Sequence, residues 1–222
     1  ILCVCQIMVN VLLNVERGGR FEWHTPGVLT MLAISAAICP AIVRTSMRVR
    51  TMLMLVFCAS PLVLGANSGP EMGWFERVDS IGIEEWFGRL LWNGTYPIFP
   101  WFFYILLGTV LHDLRGDCRA RERGIVLGIL ATSATLALAV IEGFDWALTS
   151  GDAILTFFPA SMPFLVVSGT MVALALRILE GEEESGGEPL MGGGLSILEP
   201  VGRLSLTVYV SHFAVLGAVA LM

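Results

Sequence analysis

The sequence predicts an all-α fold, a polytopic bundle of about seven transmembrane helices forming one membrane domain over residues 1–222. Two observations predict it. Hydrophobic residues make up 55% of the chain and its mean hydropathy is +0.77, more apolar surface than a soluble domain can cover. The apolar residues also fall in stretches near 1–15, 26–43, 51–66, 97–111, 124–141, 153–179 and 200–222, separated by polar or glycine-rich segments. A bilayer core takes about 20 helical residues per crossing, so these stretches are helices of full or somewhat short span.

The first stretch opens on Ile1 inside an apolar run, without an initiator Met, a charged n-region or a cleavage site. It reads as the remainder of a truncated helix in a longer protein rather than as a signal peptide. Pro26, Pro97 and Pro200 stand near helix starts, where a missing backbone N–H costs nothing. Pro40, Pro61, Pro159 and Pro163 lie within or near spans and predict kinks.

Arginine placement sets the orientation, because positively charged loops stay cytoplasmic. One set of alternate loops carries Arg44, Arg48 and Arg50, then Arg115, Arg119, Arg121 and Arg123, then Arg177. The other carries only Arg17, Arg20, Arg77 and Arg89, mixed with acidic residues. The first set is therefore placed inside, and residues 67–95 and 142–152 outside. In the outer loop 67–95, Ile83, Trp86, Phe87, Leu90 and Leu91 recur at helical spacing, with Glu85 and Arg89 as an i,i+4 pair on the other side. This amphipathic segment is read as a helix capping the bundle or as a lid over an outward-facing acceptor site. Residues 180–199 form an acidic, glycine-rich cytoplasmic linker.

The formal charge of −6 argues against nucleic acid as a partner. Cys3, Cys5, Cys39, Cys58 and Cys118 include no CxxC pair and read as small hydrophobes, and no metal is expected. The bilayer is the expected surrounding, and an oligomer is compatible with it.

Ionisable groups inside a bilayer need a partner or a function. His212, Tyr209 and Ser205 share one face of the last span, with Arg203 near its cytoplasmic end. His212 there is either a proton acceptor or acyl carrier, or a hydrogen-bonding residue that fixes helix packing. His112 ends the span 97–111 and suits the negative end of a helix dipole. The run Arg115 to Arg123 is either a topological signal that contacts anionic lipid or a binder of cofactor phosphates. His24 lies at the outer edge beside Trp23, and an interfacial role suits it. Asn93-Gly94-Thr95 is a glycosylation sequon close to the membrane, and Trp92, Tyr96, Trp101 and Tyr104 mark an aromatic belt.

Two longer segments carry a resemblance. The run from Asn93 through Tyr96-Pro97-Ile98-Phe99-Pro100-Trp101 to Leu106-Leu107-Gly108 resembles the "P-x-x-PW-x-x-x-x-LLG" helix start of the prokaryotic relatives of heparan-alpha-glucosaminide N-acetyltransferase, and Pro26-Gly27-Val28-Leu29 resembles their "GVL" start. The run Gly202-Arg203-Leu204-Ser205-Leu206-Thr207-Val208-Tyr209-Val210-Ser211-His212 is similar to the "GR-x-SLT-x-Y-x-x-H" helix of the wider transmembrane acyltransferase superfamily. The resemblance implies a plasma-membrane enzyme of prokaryotic type that takes an acyl group, typically acetyl, from acetyl-CoA on the cytoplasmic side and delivers it to a sugar or glycan acceptor. Such proteins hold their essential histidine in an early helix near an Arg-Gly pair. Here Arg17-Gly18 and His24 stand in a polar loop, so the role is not carried over, and the principal histidine is expected before Ile1. Carried over as expectations are Arg203 with Arg115, Arg119, Arg121 and Arg123 toward the CoA phosphates, Tyr209 and His212 along the acyl path, and Asn93, Tyr96 and Trp101 on the acceptor side. The rival readings are a transporter or flippase for a small or lipid-linked solute, and a non-catalytic membrane scaffold.

Overall fold

The computed structural model describes residues 1–151, 153–184 and Ser211. Pro200, Arg203, Ser205, Tyr209 and His212, with most of the acidic linker, therefore lie outside the described residues. Within them the chain is a helical bundle: α1 Leu2–Leu12, α2 Val28–Ile42, α3 Met47–Leu64, α4 Trp74–Val78, α5 Ile83–Gly88, α6 Ile98–Asp113, α7 Cys118–Glu142 and α8 Met162–Glu184. Six of the apolar stretches thus become α1, α2, α3, α6, α7 and α8. Among the described residues, Met47–Ser68 and Cys118–Glu142 are long and apolar enough to cross a membrane, and Ile83–Asn93 with Ile98–Gly116, bent by 47°, makes a third if counted as one broken span.

The prolines act through the carbonyls they leave open. Pro61 lies inside α3 and cannot donate to Phe57, and the Ser60 hydroxyl donates to that Phe57 carbonyl instead at 2.7 Å. Pro100 pushes the preceding residue toward extended backbone, and Phe99 has φ −93° and ψ 115° although it lies within α6.

The reading of 153–179 as a single helix is corrected. Residues Asp145–Leu148 (β1) and Ala153–Thr156 (β2) pair in parallel, Asp145 opposite Ala153 and Leu148 opposite Thr156, and α8 begins only at Met162. The break is made by local polar chemistry. Gly143, at φ 71°, ends α7 in the left-handed conformation that a side chain disfavours. Ser161 receives the Phe164 amide at 3.3 Å, starting α8, and donates to the Ile154 carbonyl at 3.0 Å. Pro163 therefore sits in the first turn of α8, where it is tolerated, rather than kinking a span.

Packing is densest where α3 meets α6, with α7 against α8 and α1 against α2 beside it. The main core gathers Met31, Cys58, Trp101, Phe103, Ala160 and Leu165, and a second cluster joins Ile42, Phe102 and Leu106. Two glycines allow close approach: a Cβ on Gly128 of α7 would come 2.5 Å from Thr170 Oγ1, and one on Gly169 would come 2.9 Å from the Phe103 ring. The outer surface of α7 carries exposed Leu127, Leu130, Val140 and Ile141, as a lipid-facing surface requires.

The two predicted loop sets lie at opposite ends. At one, Arg50 of α3 meets Asp113 of α6. At the other, the segment after α1 is tied to the 67–95 cap: Trp74 Nε1 donates to the Arg20 carbonyl at 2.8 Å, Trp86 Nε1 to the His24 carbonyl at 2.8 Å, and Thr25 Oγ1 to the Val78 carbonyl at 2.7 Å. Residues 67–95 do contain helix, but the expected Glu85–Arg89 pair does not form. Glu85 accepts the Ile81 amide at 2.6 Å, because a carboxylate is favoured at a helix start, while Arg89 donates to the Asp79 carbonyl and to Asn93 Oδ1.

A buried polar ladder fixes α1. Gln6 Nε2 donates to Asn10 Oδ1 at 2.8 Å, Asn10 Nδ2 donates to the Thr25 carbonyl at 2.8 Å, and the Leu29 amide donates to Gln6 Oε1 at 3.0 Å. Replacing Asn10 with Ala leaves the Thr25 carbonyl and Gln6 unsatisfied in a buried place, so a loss of about 2 kcal/mol is expected, read as a lower melting temperature in nanodiscs.

Candidate functional site

The arginine-rich end brings two helix termini together with the less favoured charge on each. Arg50 sits in the first turn of α3, close to a positive dipole end, and Asp113 closes α6, at a negative end. Each charge is disfavoured by its own helix. The antiparallel packing of α3 and α6 sets them face to face, and Arg50 Nη2 donates to Asp113 Oδ2. Arg50 is buried, at 6% exposure, and its Nε has no hydrogen-bond partner among the described residues.

Two clefts flank the end of α6. The larger, about 620 Å³, has Cys39, Val43, Tyr104 and Ile105 as its apolar wall and Arg50, His112 and Asp113 at the arginine-rich end, with Gly108 and Thr109 between. The smaller, about 210 Å³, is lined by Arg115, Arg121, Leu111, Ala173 and Leu176, and it shares Gly108 and His112 with the first. The wall is held by Tyr104, whose hydroxyl lies 2.6 Å from Ser168 Oγ of α8. His112 is exposed, with Nδ1 3.7 Å from Asp113 Oδ1.

Of the five arginines expected to face phosphate, Arg203 lies outside the described residues, Arg115 and Arg121 line the smaller cleft together, and Arg121 is buried. Arg119 and Arg123 instead line a separate open cleft with Glu122, Val126 and Leu127 on α7. The capped start of α7, where Asp117 Oδ1 accepts the Ala120 amide at 3.0 Å, makes this division, because helical spacing turns Arg121 away from Arg119 and Arg123.

At the opposite end, Tyr96 and Trp101 are packed in an aromatic cluster: Trp101 lies 4.8 Å from Phe157 between ring centroids, and Tyr96 lies 5.2 Å from Trp101. Asn93 is held by arginines, its carbonyl accepting from Arg77 Nη1 at 3.2 Å and its Oδ1 from Arg89 Nη1 at 3.0 Å. Thr95 is fully buried, so the sequon is closed to glycosylation in this fold. His24 lies edge-on to Trp23 at 5.2 Å between ring centroids, with both imidazole nitrogens buried and without a hydrogen-bond partner among the described residues. Arg77, which the sequence reading used only for topology, is 1% exposed and donates to the carbonyls of Ser68, Gly69 and Asn93. Burial first, then the charge of Arg89, lowers its pKa from the ordinary value, with Glu76 opposing.

The family model for an acyltransferase domain matches residues 28–222. The chain belongs to that family. No curated protein and no solved structure matches. The acyltransferase domain therefore takes in α2 through α8, both clefts, the outer cap and the C-terminal motif around His212. This agrees with the resemblance at the level of a membrane acyltransferase family and leaves α1 with its polar ladder ahead of the matched region.

Proposed function

We propose that the arginine-rich end of this acyltransferase domain receives an acyl-CoA donor, acetyl-CoA in the simplest case, and that the acyl group passes to a sugar or glycan acceptor, as in the relatives of heparan-alpha-glucosaminide N-acetyltransferase. One observation carries the reading: a cleft with an apolar wall and a cationic end, beside a second cleft lined by Arg115 and Arg121. Such a pair suits a ligand with several phosphates and a short uncharged acyl group. Guanidinium forks bind phosphate oxygens in pairs, and the apolar wall takes the acyl end. The positive-inside rule puts this end in the cytoplasm, where CoA thioesters are found. Tyr209 and His212 remain candidates for the acyl path, and Asn93, Tyr96 and Trp101 for the acceptor side, in a cell membrane of prokaryotic type.

Full-length protein in nanodiscs with labelled acetyl-CoA tests this. Arg115→Ala with Arg121→Ala is expected to weaken donor binding at least tenfold, since each lost charge-assisted contact is worth about 1.5 kcal/mol or more. Arg119→Ala with Arg123→Ala, on the other face of α7, is expected to change it less than twofold. Equal losses from both pairs would show a diffuse electrostatic effect and remove the specific site.

A further inference from the structure

We propose that Gly108 sets the length of acyl chain that the donor cleft accepts, an inference that rests on the donor reading above. A glycine inside a helix is less favourable than alanine by about 1 kcal/mol, so it calls for a reason. Gly128 and Gly169 have one, because Thr170 and Phe103 press against their backbones. Gly108 has no such neighbour: a Cβ there would meet nothing within 4 Å among the described residues. Gly124 is equally open but lines neither cleft. Gly108 lines both, and it stands one turn from Tyr104 and one from His112 on the same face of α6. Its missing side chain keeps the apolar wall and the charged end continuous.

A second observation shows which way a ligand lies. Arg50 lines the charged end, its Nη2 meeting Asp113 and its enclosed Nε–H without a partner among the described residues, so that end of the cleft favours the anionic or carbonyl oxygens of a ligand. A ligand whose polar atoms meet Arg50 extends its apolar end past Gly108 toward Tyr104, Ile105 and Cys39. Any side chain at 108 projects into that path and shortens it.

The test uses full-length protein in nanodiscs, with CoA, acetyl-CoA, butyryl-CoA and hexanoyl-CoA as the probes. Whatever Gly108→Leu costs CoA itself, its affinity for acetyl-CoA relative to CoA is expected to stay within twofold of the parent ratio. Its affinity for the longer thioesters is expected to fall about fourfold for each methylene excluded, the value of about 0.8 kcal/mol per buried methylene, reaching tenfold or more at hexanoyl. Gly108→Ala, which favours helix, keeps the test open should the leucine variant fail to fold, with a twofold to fourfold loss expected at hexanoyl alone. An equal loss for CoA and every thioester, or no change for any, overturns the proposal and leaves the donor reading standing. Failure of the parent protein to bind any of the four overturns the donor reading and this inference with it.

Discussion

Replacing Asp113 with Ala is expected to destabilise the bundle by about 3–5 kcal/mol, among the largest effects of any single change at the arginine-rich end. The reason is asymmetric. The mutation removes a carboxylate that is itself disfavoured at the end of α6, but it leaves the Arg50 guanidinium buried against the dipole of α3 with its partner gone. Arg50→Met, by contrast, leaves behind a carboxylate that is 30% exposed and reachable by water, so a smaller loss is expected. Arg50→Met combined with Asp113→Ala removes both charges and is expected to recover most of the stability lost in Asp113→Ala. Melting in nanodiscs for the four proteins gives the cycle, and additive single losses would contradict the pairing. Because the Arg50 guanidinium is buried, 1 M salt is expected to offset only part of these differences. Donor affinity should fall in both single variants and stay low in the recovered double variant, since Arg50 lines the cleft as well as closing the helix ends. Stability and binding thus separate within one set of proteins.

How much of this was legible in the sequence follows from the range over which each signal acts. Apolar runs of span length identified α2, α3, α6 and α7, because lipid imposes the same demand all along a helix. Arginine asymmetry sorted the loops into two ends, and the pairing of Arg50 with Asp113 at one end is consistent with that sorting. What failed was local or long-range. The strand at 153–156 is as apolar as the helix that follows, and only Ser161 and Pro163 mark the boundary between them. Glu85 and Arg89 have helical spacing, yet nearby backbone groups offered each a closer partner. Gln6 and Asn10 stood in view as polar residues in an apolar run, four residues apart on one face, and that spacing was the signal to follow. The two-residue spacing already sets Arg121 opposite Arg119 and Arg123, but that Arg121 joins Arg115 beside Ala173 and Leu176 depends on how α7 packs with α6 and α8 and was hidden. No pattern within the sequence connects Arg50 to Asp113 or Arg77 to Ser68, since those pairings exist only once the chain has folded.

Arg77→Leu is expected to loosen the outer cap at a cost of about 4 kcal/mol. In the native chain one guanidinium gathers three carbonyls from two separate segments: Ser68 and Gly69 beyond the end of α3, and Asn93 just before α6. The Gly69 carbonyl keeps the Met72 amide at 3.0 Å, but those of Ser68 and Asn93 lie where the backbone leaves regular structure, and nothing within their own segments replaces the lost donor. Each buried acceptor left without a partner costs about 1–3 kcal/mol, and leucine supplies none. The same burial that lowers the pKa of Arg77 makes its charge costly to hold, so the three carbonyl bonds outweigh that cost only as a set. Arg77→Lys is therefore expected to rescue less than half of the loss, because an ammonium is a point donor and cannot span the fork. Limited proteolysis should first cut between Gly69 and Gly73 in Arg77→Leu, and melting should confirm the order of the three proteins. Full rescue by lysine would mean that charge alone, rather than the fork, holds the cap. The donor cleft lies at the other end of α6, so acetyl-CoA binding by Arg77→Leu below its melting temperature is expected to match the parent protein. An effect on acceptor transfer with donor binding intact would then connect the cap, and the Asn93 that Arg77 holds, to the acceptor side of the reaction.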